Sequence, residues 1–129
     1  MIFGTFDLLH PGHHFLVNEA RKRGDVTVVV ARSSNVERIK GKATRESDAE
    51  RAHALEAAFP DVKVVLGDTA DFLQPVREHV PDLLLFGYDQ KLPPGVTEAD
   101  LPCPIERAEA FQPERFKSSL MKKKGDSRD

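Results

Sequence analysis

The chain has 129 residues, a length for one domain that buries roughly two-thirds of its unfolded surface and folds without cross-links. Lys plus Arg is 19 and Asp plus Glu is 21, a formal net charge of −2, and this near balance argues against a general nucleic-acid binder, which carries a basic excess. No apolar run is long enough for a membrane span, no secretory signal is visible, and the single cysteine, Cys103, permits no intrachain disulfide, so the expected compartment is the cytoplasm.

Met1-Ile2-Phe3 opens the chain as a short apolar strand ending at Gly4. Three residues are few for a strand expected at a sheet centre, as a natural start upstream of Met1 would leave them. Gly12 to Arg23 places Phe15, Leu16 and Ala20 on one side and stops at Gly24, a helix pattern with Arg21, Lys22 and Arg23 in the last turn, where the macrodipole favours cations. Val26 to Ala31 is β-branched and almost continuous, which suits a strand covered on both faces. The segment with Lys40 and Lys42 reads as a basic loop. Ser47-Asp48-Ala49-Glu50 has the spacing of a capping box, and Ala52, Leu55 and Phe59 then recur at helical intervals. Val62 to Leu66 and Leu83 to Phe86 read as strands, each followed by a glycine. Between them Asp71 to His79 predicts a third helix that Pro75 restricts to a late start or two pieces. Pro104 to Ala108 is a weaker fifth strand, and residues 122–129, KKKGDSRD, form a charged tail of the single domain 1–129.

Strands alternating with helices predict a Rossmann-like α/β fold: a doubly wound, parallel, five-stranded sheet with helices on both faces. Ligands of such sheets bind outside the carboxyl ends of the strands. Here that edge carries Gly4-Thr5, Ala31-Arg32, Leu66-Gly67 and Phe86-Gly87.

The densest signal lies there, in Gly4-Thr5-Phe6-Asp7-Leu8-Leu9-His10-Pro11-Gly12-His13. A glycine directly after a central strand lets backbone approach a ligand. His10 and His13 flank the start of the first predicted helix, where free N–H groups and the dipole favour a phosphate. Imidazoles in that position donate hydrogen bonds to phosphoryl oxygens and stabilise charge developing on a phosphate. The segment contains no activated Ser or Cys nucleophile. A zinc site from His10, His13 and His14 is a poor rival, since structural zinc takes four ligands and no cysteine is near.

Gly4-Thr5-Phe6-Asp7 followed by His10-Pro11-Gly12-His13 resembles the GTFD…HxGH signature of the cytidylyltransferase-like nucleotidyltransferases. Val30-Ala31-Arg32, Arg38-Ile39-Lys40-Gly41-Lys42, Glu50-Arg51, Phe86-Gly87-Tyr88-Asp89-Gln90 and Phe116-Lys117-Ser118-Ser119 follow in family order, so the likeness extends to about residue 120. Within that superfamily the chain is most similar to archaeal-type FAD synthases, which are FMN adenylyltransferases, and next to glycerol-3-phosphate cytidylyltransferases.

The resemblance implies attack of an acceptor phosphate on the α-phosphate of a nucleoside triphosphate, with pyrophosphate leaving and magnesium accompanying the triphosphate. The substrates it implies are ATP with FMN, or CTP with a phosphorylated alcohol. His10 and His13 inherit the phosphate contacts, and Gly4, Thr5 and Phe6 line the nucleotide. Gly87 and Asp89 border it, with Asp89 accepting from ribose hydroxyls, while Ser118 and Ser119 match a hydroxyl pair that binds triphosphate oxygens. Lys42, or Lys40 as the second choice, supplies a cation. Arg51 has two equal readings, a phosphate ligand or an ion pair holding the second helix. Family members are commonly dimers, so a homodimer is expected. The reading from a different class is a nucleotide-binding module without turnover.

Overall fold

The structure, a computed structural model, describes residues 1–111. Its elements run β1 (Ile2–Gly4), α1 (Pro11–Arg21), β2 (Thr27–Val30), α2 (Ser33–Lys40), α3 (Asp48–Ala58), β3 (Lys63–Leu66), α4 (Gln74–His79), β4 (Leu84–Phe86), a 3-10 turn at Glu98–Asp100 and β5 (Ile105–Arg107). All strand pairing is parallel. Among the described residues no helix is long and apolar enough to cross a membrane.

Side-chain alternation along each strand divides the core into two layers. Ile2, Val28, Val30 and Leu85 point to one face, where Val17 and Ala20 of α1 and Leu55 of α3 cover them. Phe3, Val29, Leu84 and Phe86 point to the other, against Val76 of α4. Both faces are therefore helix-covered, which is why the strands read as continuous apolar runs.

The single five-stranded ladder needs correction. Strands β1, β2 and β3 form one ladder and β4 and β5 a second. The two ladders meet where Leu85 N donates to Met1 O at 3.0 Å and the Met1 ammonium donates to Leu83 O at 2.8 Å, giving the spatial order β3-β2-β1-β4-β5. Continued one step, that pairing would bring Gly87 N to Phe3 O. Instead the Gln90 side chain stands between them, its Oε1 accepting from Gly87 N at 3.0 Å and its Nε2 donating to Phe3 O at 2.9 Å. The ladder is thus opened by an inserted amide, which pairs the Gly87 N–H and the Phe3 carbonyl that the opening separates.

One helix differs from expectation. The second, α2, falls where the sequence pattern predicts no helix: its sequence SSNVERIK carries few strong helix formers, and its Ile39 is 53% exposed, so no apolar stripe announces it. What starts it is tertiary, because the Ser33 amide donates to the Asp48 carboxylate of α3 at 2.8 Å. Its end is local, at Gly41 with φ 75°. The last helix, α4, starts late at Gln74 with Pro75 in its first turn, where a missing N–H costs no helix bond.

The buried side chain that ties these pieces together is Arg51 of α3, 0% exposed. Its Nη1 donates to Thr5 O at 2.8 Å and Ala31 O at 2.7 Å, the carbonyls at which β1 and β2 leave the sheet. Its Nη2 donates to Ser33 Oγ at 3.0 Å and Asp48 Oδ1 at 2.6 Å, and its Nε to Glu46 O at 3.3 Å. A guanidinium has five N–H donors, and all five are used. Of the two readings offered for Arg51, only the structural one has donors to support it. Arg51→Met should therefore lower the free energy of unfolding by about 3–5 kcal/mol, because Asp48 and two strand-end carbonyls lose their partner inside the protein. Urea denaturation measures this, and a loss below about 1 kcal/mol would contradict the assignment.

Candidate functional site

The chain leaves β1 through a tight corner. Phe6 adopts φ 54° and turns its buried ring back over Gly4, where an added Cβ would lie 2.8 Å from the ring. Only glycine fits that approach. Leu8, also left-handed at φ 52°, then brings the chain to His10.

His10 is the N-cap of α1, and Pro11 supplies the first helical residue with a preset φ. The Nδ1 of His10 accepts from Gly12 N at 3.1 Å, and the Nδ1 of His13 accepts from His10 N at 3.3 Å. Two imidazoles thus take the reciprocal places that Ser or Thr and Glu occupy in an ordinary capping box. The rings stack with centroids 3.7 Å apart, and His13 also meets the Phe6 ring edge-on at 5.3 Å.

This network assigns the tautomers. An Nδ1 that accepts carries no proton, so each neutral ring carries it on Nε2, which has no hydrogen-bond partner among the described residues. Burial, then the neighbouring His10 and His14, push the His13 pKa down to about 4, against a smaller opposing pull from Asp7. His13 is accordingly an uncharged donor at neutral pH.

Asp7 is engaged with the segment before α3. Its carboxylate accepts from Arg45 N at 2.8 Å and Glu46 N at 3.0 Å, and the Arg45 amide is the main cause of a pKa below the usual carboxylate range. The other expected residues lie along the sheet's carboxyl edge. Thr5 is half-buried at the end of β1, and the exposed Lys40 reaches it, Nζ to Oγ1 at 3.4 Å. Lys42 is exposed in the turn after α2, two residues beyond that contact. Gly87 is half-buried at the end of β4, and Asp89 is exposed in the loop that Gln90 anchors. The structure therefore gathers Gly4, Thr5, Phe6, His10, His13 and Lys40 about one corner, with Gly87 and Asp89 at the end of the neighbouring strand. Ser118 and Ser119, and the tail with Lys122 to Lys124, lie outside the described residues.

Beside His10 on the outer flank of α1 is an open hollow of about 540 Å³, lined by Leu9, Pro11, His14, Phe15, Asn18 and Phe111. Among the described residues no group of three or more His, Cys, Asp or Glu side chains converges as a metal cage. Sequence reading attached no role to Gln90 or Asp7 beyond their motifs. Their work is done through backbone groups distant in the chain, and no local spacing reveals it.

Comparison with known proteins follows the same lines. A 92-residue stretch is 46% identical to an FAD synthase of Aciduliprofundum boonei, covering 70% of this chain and 61% of that protein. FAD synthases of Natronomonas pharaonis and Methanosarcina mazei are 38% and 39% identical over 113 and 100 residues, covering 83% and 76% of this chain. The matched stretch spans 79% of the first of these two and 64% of the second, so against the Aciduliprofundum and Methanosarcina proteins it falls short of two-thirds of their length. Among solved structures, a lipopolysaccharide core biosynthesis protein from Thermoplasma volcanium superposes with a TM-score of 0.76 at 29% identity, covering 87% of this chain and 96% of that one. The cytidylyltransferase-like family model matches residues 1–118. With that match, the corner at β1 and the paired imidazoles, the chain belongs to the cytidylyltransferase-like family.

Proposed function

We propose that this chain is an FMN adenylyltransferase. An oxygen of the FMN phosphate attacks the α-phosphorus of ATP, the bond from that phosphorus to the bridging oxygen breaks, and pyrophosphate leaves as FAD forms. The observation that carries the reading is the imidazole pair at the start of α1, both Nδ1 atoms committed to backbone amides and both Nε2–H groups left for a ligand. The likeness to archaeal FAD synthases selects ATP and FMN among the substrates such a pair could serve.

Each residue then has a physical task. His10 and His13 donate through Nε2 to phosphate oxygens whose charge grows as the pentacoordinate arrangement forms, assisted by the helix N-terminus. The neutral His13 imidazole suits this, since it stabilises charge without having first bound it in the free protein. Gly4, Thr5 and Phe6 line the nucleotide through backbone. Gly87 leaves room beside it, and Asp89 accepts from the ribose hydroxyls. Lys40 or Lys42 lies over the phosphates as a mobile cation, and Ser118 and Ser119 hold the triphosphate. A magnesium ion bound with the triphosphate would neutralise the departing charge, and among the described residues no group of three or more His, Cys, Asp or Glu converges to hold it separately. The protein's contribution is placement and fixed dipoles.

Mixing ATP, FMN and magnesium with the protein should yield FAD and pyrophosphate, read by chromatography. ATP at about 100 times its dissociation constant should add about 2.7 kcal/mol to stability, with CTP adding much less. If CTP and a phosphorylated alcohol reacted while ATP and FMN did not, the acceptor assignment would be wrong; if neither nucleotide shifted the melting curve, the reaction class would fall.

His13→Ala should lower turnover by on the order of 10²- to 10³-fold, as loss of a donor to a developing oxyanion does. It should also cost about 1 kcal/mol of stability through the lost cap. Unchanged turnover in a folded variant would remove His13 from the mechanism.

The ring also makes stability pH-dependent. Between its ordinary pKa of 6.5 and about 4, the unfolded chain binds a proton at His13 that the folded chain does not. This contribution therefore lowers stability as pH falls through that window. In the free protein the His13 ring signal in an NMR titration should turn over near pH 4, and bound triphosphate should move the midpoint upward. A midpoint near 6.5 in the free protein would show that the ring is not held as described.

A further inference from the structure

We propose that Glu46 is a positioning residue, forming with Asp7 a reciprocal carboxylate clamp that holds the cation-bearing segment between α2 and α3 against the histidine-bearing loop between β1 and α1. The inference rests on the proposed nucleotidyl transfer and adds to it a residue outside the family motifs.

The bonds run in opposite directions between the two loops. Asp7 reaches across to accept from the amides of Arg45 and Glu46 at 2.8 and 3.0 Å. Glu46 reaches back, its Oε1 accepting from Leu8 N at 2.8 Å. Each carboxylate satisfies backbone of the other loop, so neither loop can shift alone without stranding a charged acceptor.

Leu8 shows why the return bond matters. It holds φ 52°, a left-handed conformation that a leucine keeps only when its surroundings over-determine it. Its side chain is 49% exposed, so packing is not what holds it. The Glu46 carboxylate on its amide is. That amide lies two residues before His10, whose backbone N–H in turn fixes the His13 ring.

Glu46 is itself held from behind. Thr44 Oγ1 donates to its carbonyl at 2.7 Å and Arg51 Nε at 3.3 Å, so the clamp is anchored to the buried guanidinium. On the other side the segment carries Lys40, whose Nζ meets Thr5 Oγ1, and then Lys42 and Arg45. The clamp thus sets the separation between the cations and the imidazoles, between which the phosphates would lie. An error of about 1 Å in such a placement can cost on the order of 10²-fold in rate while leaving the ground-state grip on the nucleotide nearly intact.

The test compares Glu46→Ala with Glu46→Gln, whose amide oxygen can still accept from Leu8 N. Glu46→Ala should lower kcat by about 10- to 100-fold while nucleotide affinity by calorimetry changes less than about 3-fold, and Glu46→Gln should recover most of the loss. In parallel, amide hydrogen exchange should show residues 8 and 45 losing protection together in Glu46→Ala and keeping it in Glu46→Gln. Equal kcat for wild type and Glu46→Ala would overturn the clamp, as would loss of protection at residue 8 alone. A wild-type chain without adenylyl transfer would instead defeat the proposed function, and the exchange pattern would by itself decide whether the two loops are coupled.

Discussion

The ligand edge of this protein is organised around one buried cation. Where parallel strands end, their last carbonyls point past the sheet and need a donor that the ladder no longer supplies. Arg51 answers this for β1 and β2 at once, and with its remaining donors it fixes the start of α2, the first turn of α3 and the loop before it. The guanidinium suits the task because its donors form a rigid planar fork, whereas an ammonium on a flexible stem would cover fewer acceptors. A charge in this position is tolerable only because Asp48 accompanies it and every N–H is satisfied. The same saturation excludes Arg51 from contact with a ligand.

From that anchor the two loops of the candidate site acquire their shape. Thr5 is fixed through its carbonyl, Glu46 through its own, and Asp7 and Glu46 cross-connect them. The imidazoles sit at the far end of this chain of constraints. Their Nδ1 atoms are occupied by the first amides of α1, so the helix start that would attract a phosphate also orients the rings that would bind it. Capping and donation use opposite nitrogens of one ring. Protonating an Nδ1 would place two donors face to face, an opposition that acts in the same direction as burial in keeping His13 neutral.

What could be read from the residues in advance follows the range of the interactions involved. The strands were legible because burial on both faces demands uninterrupted Val, Ile, Leu and Phe, and the runs at Val26 to Ala31 and Leu83 to Phe86 satisfy that demand locally. The start of α3 was legible because Ser47 and Glu50 cap each other within one turn. The second helix was not, since its first amide is satisfied by Asp48 from another helix and its apolar content is slight. Arg51 stayed ambiguous for a related reason: a buried and an exposed arginine look alike until the carbonyls around it are known. The corner from Gly4 to His13 was legible as a strand-to-helix turn carrying two histidines, whereas the tautomers, the ring stacking and the cross-loop bonds of Asp7 depend on coordinates.

The break between the two ladders falls at the edge that carries the candidate site. In an open parallel sheet the crevice forms where neighbouring strands send their connections to opposite faces, here between β1 and β4. Helix α1 departs toward one layer of the core and the segment after β4 runs elsewhere, so the ladder has no reason to continue past Leu85. Without a substitute, Gly87 N and Phe3 O would face each other across a gap or close it. Gln90 holds them apart by the width of an amide while pairing both. The insertion ties the loop bearing Asp89 to the strand that leads into the histidine corner. One glutamine side chain therefore bridges the two halves of the candidate site, accepting from the end of β4 and donating to β1.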